Sequence, residues 1–292
     1  MIYKLIHQVQ QKAVSQACRI LQVSRSGYYA AKRRTVKPVI CPASVQVKAA
    51  FAANQRCYGS RRIVDELKAQ NVVMGRFKVR RLMREAGLKP VWKTKFVNTT
   101  DSKHDLPVAD NLLKRQFNPA QSNRAWAADI TYIRTQTGWL YLAAVMDLHS
   151  RKIIGWAMSS TMPAALVCQA LQMAIGQRQP AAGLIVHSDR GSQYASHEYQ
   201  ALLKQHGILC SMSGKGNCWD NAVMERFFLN LKMERVWQRE YANQMEAQKD
   251  VTEYIVGFYN ATRRHAALGN LAPIAFEKQF AAKQPIAVCE II

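Results

Sequence analysis

Apolar positions recur at helical spacing through the first ninety residues, then give way to strand-like runs. Ala13 to Leu21 reads as a helix. Val23 to Tyr29 follows after a short turn as a second helix capped by Ser24, and the basic run Lys32-Arg33-Arg34 comes after it. Pro38 and Pro42 interrupt the pattern and mark a linker. A helix over Val45 to Ala53 comes next. Gly59-Ser60-Arg61-Arg62 opens another that runs to about Gln70, with Ile63, Leu67 and Val64 apolar. A third covers Arg76 to Ala86, with Phe77, Val79, Leu82 and Met83 as its apolar positions and Gly87 as its stop. Residues 89–120 are polar and without period, a basic connector. From Arg124 the pattern changes. Trp126 to Ile133, Trp139 to Met146 and Ile153 to Met158 read as three strands, the last two antiparallel. A helix over Pro163 to Gln177, a buried strand at Leu184 to Val186, a helix over Ser196 to Gln205 and a strand at Ile208 to Met212 alternate after them. Gly214 and Gly216 mark a flexible loop. A long helix from about Asn221 to Trp237 and further helix over 243–262 and 273–281 complete the chain. A meander followed by alternating elements describes a mixed sheet carrying helices, an α/β fold.

Composition narrows the partners. The chain has 292 residues, 49% of them hydrophobic, enough for one large domain or two modest ones and too apolar for a disordered protein. Its net charge is +22, distributed unevenly: residues 1–120 hold 24 basic and 6 acidic residues, a net of +18, whereas residues 121–292 hold a net of only +4. So lopsided a charge points the first part at a polyanion, most naturally nucleic acid; the alternative is a protein that is simply basic. Arg76, Lys78, Arg80, Arg81 and Arg84 surround one short helix after a turn, the form of a helix-turn-helix recognition helix or of a solvated basic face. The longest apolar runs, such as Leu140 to Met146, are too short for a bilayer, and no secretory signal is visible. Seven scattered cysteines without zinc spacing read as reduced thiols of a cytosolic protein.

Three acids stand in unusual places. Asp129 interrupts an apolar strand, where an unpaired carboxylate is costly. Asp189 follows the buried strand 184–186 directly, at the carboxyl end where open sheets place ligands. Glu225 lies one turn beyond Asn221 on a helix anchored by Ala222, Val223, Phe227 and Phe228. Each has an ordinary reading alone: an edge acid paired to a surface arginine, a turn residue paired to Arg190, an exposed acid paired to Arg226 or Arg235. Together, three converging carboxylates would demand divalent cations such as Mg²⁺ between them.

Thirty-five residues separate Asp189 from Glu225 and 59 separate Asp129 from Asp189, with Lys232 seven beyond Glu225. The words around them are Trp126-Ala127-Ala128-Asp129-Ile130-Thr131-Tyr132, His187-Ser188-Asp189-Arg190-Gly191-Ser192-Gln193-Tyr194, and Asp220-Asn221-Ala222-Val223-Met224-Glu225-Arg226-Phe227-Phe228 with Leu231-Lys232. Tyr259-Asn260, Arg263, His265, Leu268-Gly269 and Pro273 follow downstream. This pattern resembles the DDE transposases and retroviral-type integrases, closest to bacterial insertion-sequence transposases encoded by the second of two overlapping frames. Tyr58-Gly59, Arg61-Arg62-Ile63 and Arg80-Arg81-Leu82-Met83-Arg84 resemble their helix-turn-helix segment. The resemblance spans about residues 10–280.

The resemblance implies a ribonuclease H-like mixed five-stranded sheet behind an all-α helix-turn-helix region. The expected divisions are a helical segment at 1–42, the DNA-binding region at 43–90, a linker at 91–120, a catalytic core at 121–282 and a tail at 283–292. It implies that Asp129, Asp189 and Glu225 hold two Mg²⁺ ions, with Mn²⁺ a possible substitute, for cleavage of element ends and strand transfer. Lys232, Asn221, Arg263 and His265, along with Arg61, Arg62, Arg76, Lys78, Arg80, Arg81 and Arg84, are the expected DNA contacts. Asn221 could instead steady the site, and His265 is equally a structural histidine. The expected partners are double-stranded DNA, further copies of the chain in a synaptic complex and, since no heptad zipper is visible, a first-frame product of the same element; the lack of a His-His-Cys-Cys zinc module sets the chain apart from retroviral integrases proper. The expected location is the bacterial cytoplasm, on the nucleoid, with no membrane association. The rivals are a DNA-binding regulator without catalysis and another nuclease of the same fold.

Overall fold

The computed structural model describes residues 14–33, 41–91, 107–214 and 218–283. Arg34, Pro38, residues 92–106 of the connector, Gly216 and the tail from residue 284 lie outside them. Two compact units divide between Gln46 and Val47. In the first, α1 (Val14–Ile20) and α2 (Arg25–Arg33) bury Val14, Cys18 and Tyr28 together. Ser24 caps α2 as expected, its hydroxyl accepting from the Gly27 amide at 2.9 Å.

The second unit begins within α3 (Pro42–Ala53) and continues through α4 (Ser60–Ala69) and α5 (Arg76–Glu85). α4 buries Ile63 and Leu67, and α5 buries Val79, Leu82 and Met83. Gly87 stops the chain after α5 with φ +66°, a conformation glycine adopts without strain.

A five-stranded sheet follows, made of β1 (Ala125–Thr135), β2 (Gly138–Asp147), β3 (Ile153–Ser159), β4 (Ile185–Ser188) and β5 (Leu209–Met212). Its order is β3-β2-β1-β4-β5. β1, β2 and β3 form the antiparallel meander, and β1, β4 and β5 run parallel. The parallel pairs need crossovers, supplied by α6 (Ala164–Arg178) between β3 and β4 and by α7 (Ser192–Ala195) and α8 (His197–Gln205) between β4 and β5. Trp126, Ala128, Val145 and Ile154 pack with Leu166, Leu171 and Tyr199 into the main core. α6 lies so close on β3 that a Cβ at Gly155 would stand 2.2 Å from the Ala170 carbonyl oxygen.

α9 (Ala222–Glu234) packs against β1, burying Met224, Phe227, Phe228 and Leu231, whereas Ala222 and Val223 are only half-buried. α10 (Gln244–Glu253) continues into wider π-type turns at Tyr254–Asn260, and α11 (Pro273–Lys283) ends the described chain. Asn260 holds the start of β3, its amide nitrogen donating to the Ile153 carbonyl at 2.8 Å and its oxygen accepting from the Ile153 amide at 2.9 Å.

Two sets of long-range contacts bear on the organisation of the chain. The end of the connector belongs with the core: Leu113 is buried, and the Leu112 and Leu113 amides donate to Ser211 Oγ at 2.9 and 3.2 Å. The helix pair is also fastened to the chain's last third. Arg264 donates from its amide to Tyr58 Oη at 2.7 Å, Tyr58 donates to the Thr262 carbonyl at 3.2 Å, and Arg264 pairs with Glu66 at 3.0 Å. Periodicity marks elements and carries no record of such long-range bonds. No helix among the described residues is long and apolar enough to cross a membrane.

Candidate active site

The register of β1 against β4 decides where the first two acids meet. Ala125, Trp126 and Ala127 pair with Ile185, Val186 and His187, so continuing the ladder sets Asp129 level with Asp189. Neighbouring strands lie about 4.8 Å apart, which brings two carboxyl-bearing positions side by side at the end of β4. Local backbone orients each one. The Ile130 amide donates to Asp129 Oδ1 at 2.8 Å, and the Gly191 amide donates to Asp189 Oδ1 at 2.9 Å. A Cβ at Gly191 would crowd that same Asp189 oxygen at 3.0 Å, so the turn favours glycine.

The third acid arrives on α9. Asn221 is buried at the start of this helix and donates to the Ala128 carbonyl at 3.3 Å, tying the helix to the residue before Asp129. Glu225, one turn on, is exposed. Burial pushes the Asp129 carboxyl well above its ordinary range, and the charges of Asp189 and Glu225 push it the same way. Glu225 itself is raised by partial desolvation alone, which places it at the rim of the group. Among the described residues, no three acidic, imidazole or thiol side chains are gathered tightly enough to hold a metal ion as they stand.

Lys232 completes the neighbourhood. Its ammonium lies 4.5 Å from the centroid of the Tyr132 ring, a cation–π contact. Burial lowers its pKa while the Asp129 charge opposes that fall. Asp220 is a fourth acid with a different role. It is 3% exposed and accepts from Asn111 at 3.0 Å, from the Gly214 amide at 2.9 Å and from Arg115 at 2.7 Å. Burial raises its pKa, but the Gly214 and Arg115 bonds outweigh that and hold it below the ordinary value. Asp220 thus locks residues 111–115 beside the site, and Asp129 is left as the destabilised charge. His187 is fully buried, bridges Ser211 at 2.8 Å and Ser213 at 3.2 Å, and is pushed down to about 4 by burial. It is a neutral tether between β4 and β5.

Several expected DNA contacts are corrected by their surroundings. Arg263 is 2% exposed and makes a two-pronged pair with Glu234 at 2.7 and 2.8 Å, leaving no face for a phosphate. His265 packs 4.9 Å from the Tyr259 ring, and burial with nearby arginines pushes it down to about 2, so it is a neutral structural group. Arg62 is turned inward, its guanidinium 5.5 Å from the Tyr58 ring centroid. Asn221 steadies the site and is too buried to reach DNA. Arg235, a possible partner for Glu225, is buried against Asp250 at 3.3 Å. Arg61, Arg76, Lys78, Arg80, Arg81 and Arg84 are all exposed. Tyr132 and Asp220 were the residues that sequence reasoning overlooked as site-builders. The only linear signal for Asp220 was an acid immediately before Asn221.

Comparison with known proteins places this geometry in context. The integrase core domain family matches residues 119–218 and, through a second member, residues 206–273; an HTH-like domain matches residues 43–96. Transposase InsF for insertion sequence IS3A of Escherichia coli (strain K12) is 42% identical over 272 residues, covering 91% of this chain and 94% of its own. The insertion element IS600 uncharacterized 31 kDa protein of Shigella sonnei is 42% identical over 269 residues, covering 90% of this chain and 98% of its own. A solved simian T-cell lymphotropic virus intasome, in complex with a PP2A regulatory subunit, overlaps 75% of this chain and 70% of that chain with a TM-score of 0.44 and 14% identity.

Proposed function

Because the chain belongs to the DDE-type insertion-sequence transposases, DNA-rearranging enzymes with an HTH-like segment ahead of an integrase core, we propose that Asp129, Asp189 and Glu225 are its catalytic carboxylates. What supports this reading is the β1–β4 register, which, continued two residues past the Ala127–His187 pair, brings Asp129 level with Asp189, together with the charges of Asp189 and Glu225 acting on Asp129. The donor chemistry fits a hard divalent cation: three carboxylates offer only oxygen, and their mutual repulsion is relieved by positive charge. Asp129 and Asp189 would form the seat, and Glu225, exposed one turn into α9, would have to move inward to complete it. Two Mg²⁺ ions are the natural occupants, with Mn²⁺ able to replace them. When bound, such ions activate a hydroxyl and stabilise a departing oxygen in phosphodiester displacement.

The protein's own groups hold and orient the DNA. Lys232, fixed over Tyr132, offers its ammonium to a phosphate oxygen beside the carboxylates. Asn221 keeps α9 in register with β1. Cleavage places a water oxygen on phosphorus and expels the 3′-oxygen of the neighbouring nucleotide, which leaves as a 3′-hydroxyl after taking up a proton. Strand transfer then uses that hydroxyl as the attacking group on target DNA, breaking one phosphodiester as it forms another. The exposed cations of α4 and α5 contact backbone phosphates. Duplex DNA of element ends and target, a second copy of the chain and a first-frame product are the partners of this reading, within a bacterial cell.

Asp189→Asn tests it. Asparagine keeps the oxygen that accepts from Gly191 but removes the charge. Nicking and joining of labelled element-end duplexes in Mg²⁺ are expected to fall by roughly 10³-fold or more, with DNA affinity unchanged. Equal activity in the variant overturns the assignment. DNA binding without metal-dependent product in the unaltered chain would make it a regulator.

A further inference from the structure

Resting on that reading of the chain as a DNA enzyme, we infer that Phe77, together with Val73, is an apolar reading head that enters a groove of duplex DNA and supplies sequence preference, while the arginines around it supply grip. Phe77 was expected on the apolar side of its helix with Val79, Leu82 and Met83. The structure buries those three and leaves Phe77 82% exposed. Helical geometry gives the reason: at about 100° per residue, Phe77 stands about 120–160° from each of them. Val73, in the turn leading into α5, is 90% exposed.

What covers this apolar tip is indicated by charge. Arg80, Arg81 and Arg84 fall three, four and seven positions after Phe77, so all share its face of the helix, and all are exposed. Arg76 and Lys78 flank it, exposed as well. The only acid on α5 is Glu85, which forms a loose 3.7 Å pair with Arg81 at the surface. A cavity of about 360 Å³ opens beside this face, lined by Ser60, Arg80, Met83, Arg84, Lys89 and Pro90. An apolar partner would have to bury these cations without compensation, and an acidic protein surface would leave the aromatic ring unmatched. Duplex DNA satisfies both: phosphates along the groove walls meet the arginines and Lys89, and the groove floor offers base edges, including thymine methyl groups, to an aromatic ring.

The experiment uses the full chain and a pool of random 20-base-pair duplexes, from which bound sequences are selected. Affinities are then measured for an enriched duplex and for its scrambled counterpart across a salt series. Phe77→Ala is expected to shrink the preference for the enriched duplex about tenfold or more, while affinity for the scrambled duplex and the salt slope stay the same. The Arg80→Ala/Arg84→Ala variant is expected to weaken both duplexes together and to flatten the slope by about two. Phe77 is exposed, so its variant should melt at the unaltered temperature. The inference is overturned if Phe77→Ala keeps the full preference, if the unaltered chain selects no sequence, or if the variant changes only the number of copies associating in solution, which would make this face a contact between copies. A chain that binds no duplex at any salt concentration sinks the DNA-enzyme reading itself, a separate result.

Discussion

Asp129 sits where burial and two other carboxylates resist its charge. A raised pKa in the folded state means that ionising the group costs stability, so the penalty is absent at low pH and grows as pH rises through the unfolded value of about 3.9. Asp129→Asn, without metal, should therefore melt higher than the unaltered chain at pH 7, at about 2–4 °C for each kcal/mol relieved, and at nearly the same temperature at pH 3. Calorimetry at the two pH values checks this; a lower melting point for the variant at pH 7 contradicts it. Millimolar Mg²⁺ should raise the unaltered chain's melting point and leave the variant's unmoved. Asp220 carries the opposite sign. Its folded pKa is depressed, so its contribution is present above about pH 3.8 and disappears as pH falls further. The urea midpoints of Asp220→Asn and the unaltered chain should be well apart at pH 7 and converge below pH 3.8. Asp129 was legible in sequence because an acid between Ala128 and Ile130 contradicts the strand pattern. The fate of Arg263 was not, because its partner Glu234 lies 29 residues away on another element and only packing brings them together.

At the scale of elements, periodicity located each strand and nearly every helix, since a period of two and one of 3.6 bury different positions. It could not say which side of α5 faces inward without tracing the angular positions, and there apolar character alone misassigns Phe77. It was also silent on how closely elements approach. Gly155 shows the point: one glycine in a strand is a weak signal, yet its missing Cβ is what lets α6 lie on β3. Gly155→Ala should cost about 1–3 kcal/mol or more, because the intruding methyl meets backbone that cannot turn aside. Urea denaturation measures it, and specific activity of the folded fraction should be unchanged. An unaffected midpoint would mean that helix and sheet are not in close contact.

The HTH-like helices connect to the integrase core through the chain itself along residues 92–106 and, among the described residues, also where Tyr58 and Glu66 meet Thr262 and Arg264. The second junction links residues about two hundred positions apart along the chain, beyond the reach of any reading of local pattern. It makes the topology a closed circuit. A protease site inserted near residue 99 should yield two pieces that travel together through gel filtration, and the same cut combined with Tyr58→Phe and Arg264→Ala, which together remove all three bonds, should let them drift apart. A polypeptide clasped in this way can lose its covalent bridge and still deliver bound DNA to the same place, so the clasp, more than the peptide running between the halves, would govern how far a captured end can wander before it is cut.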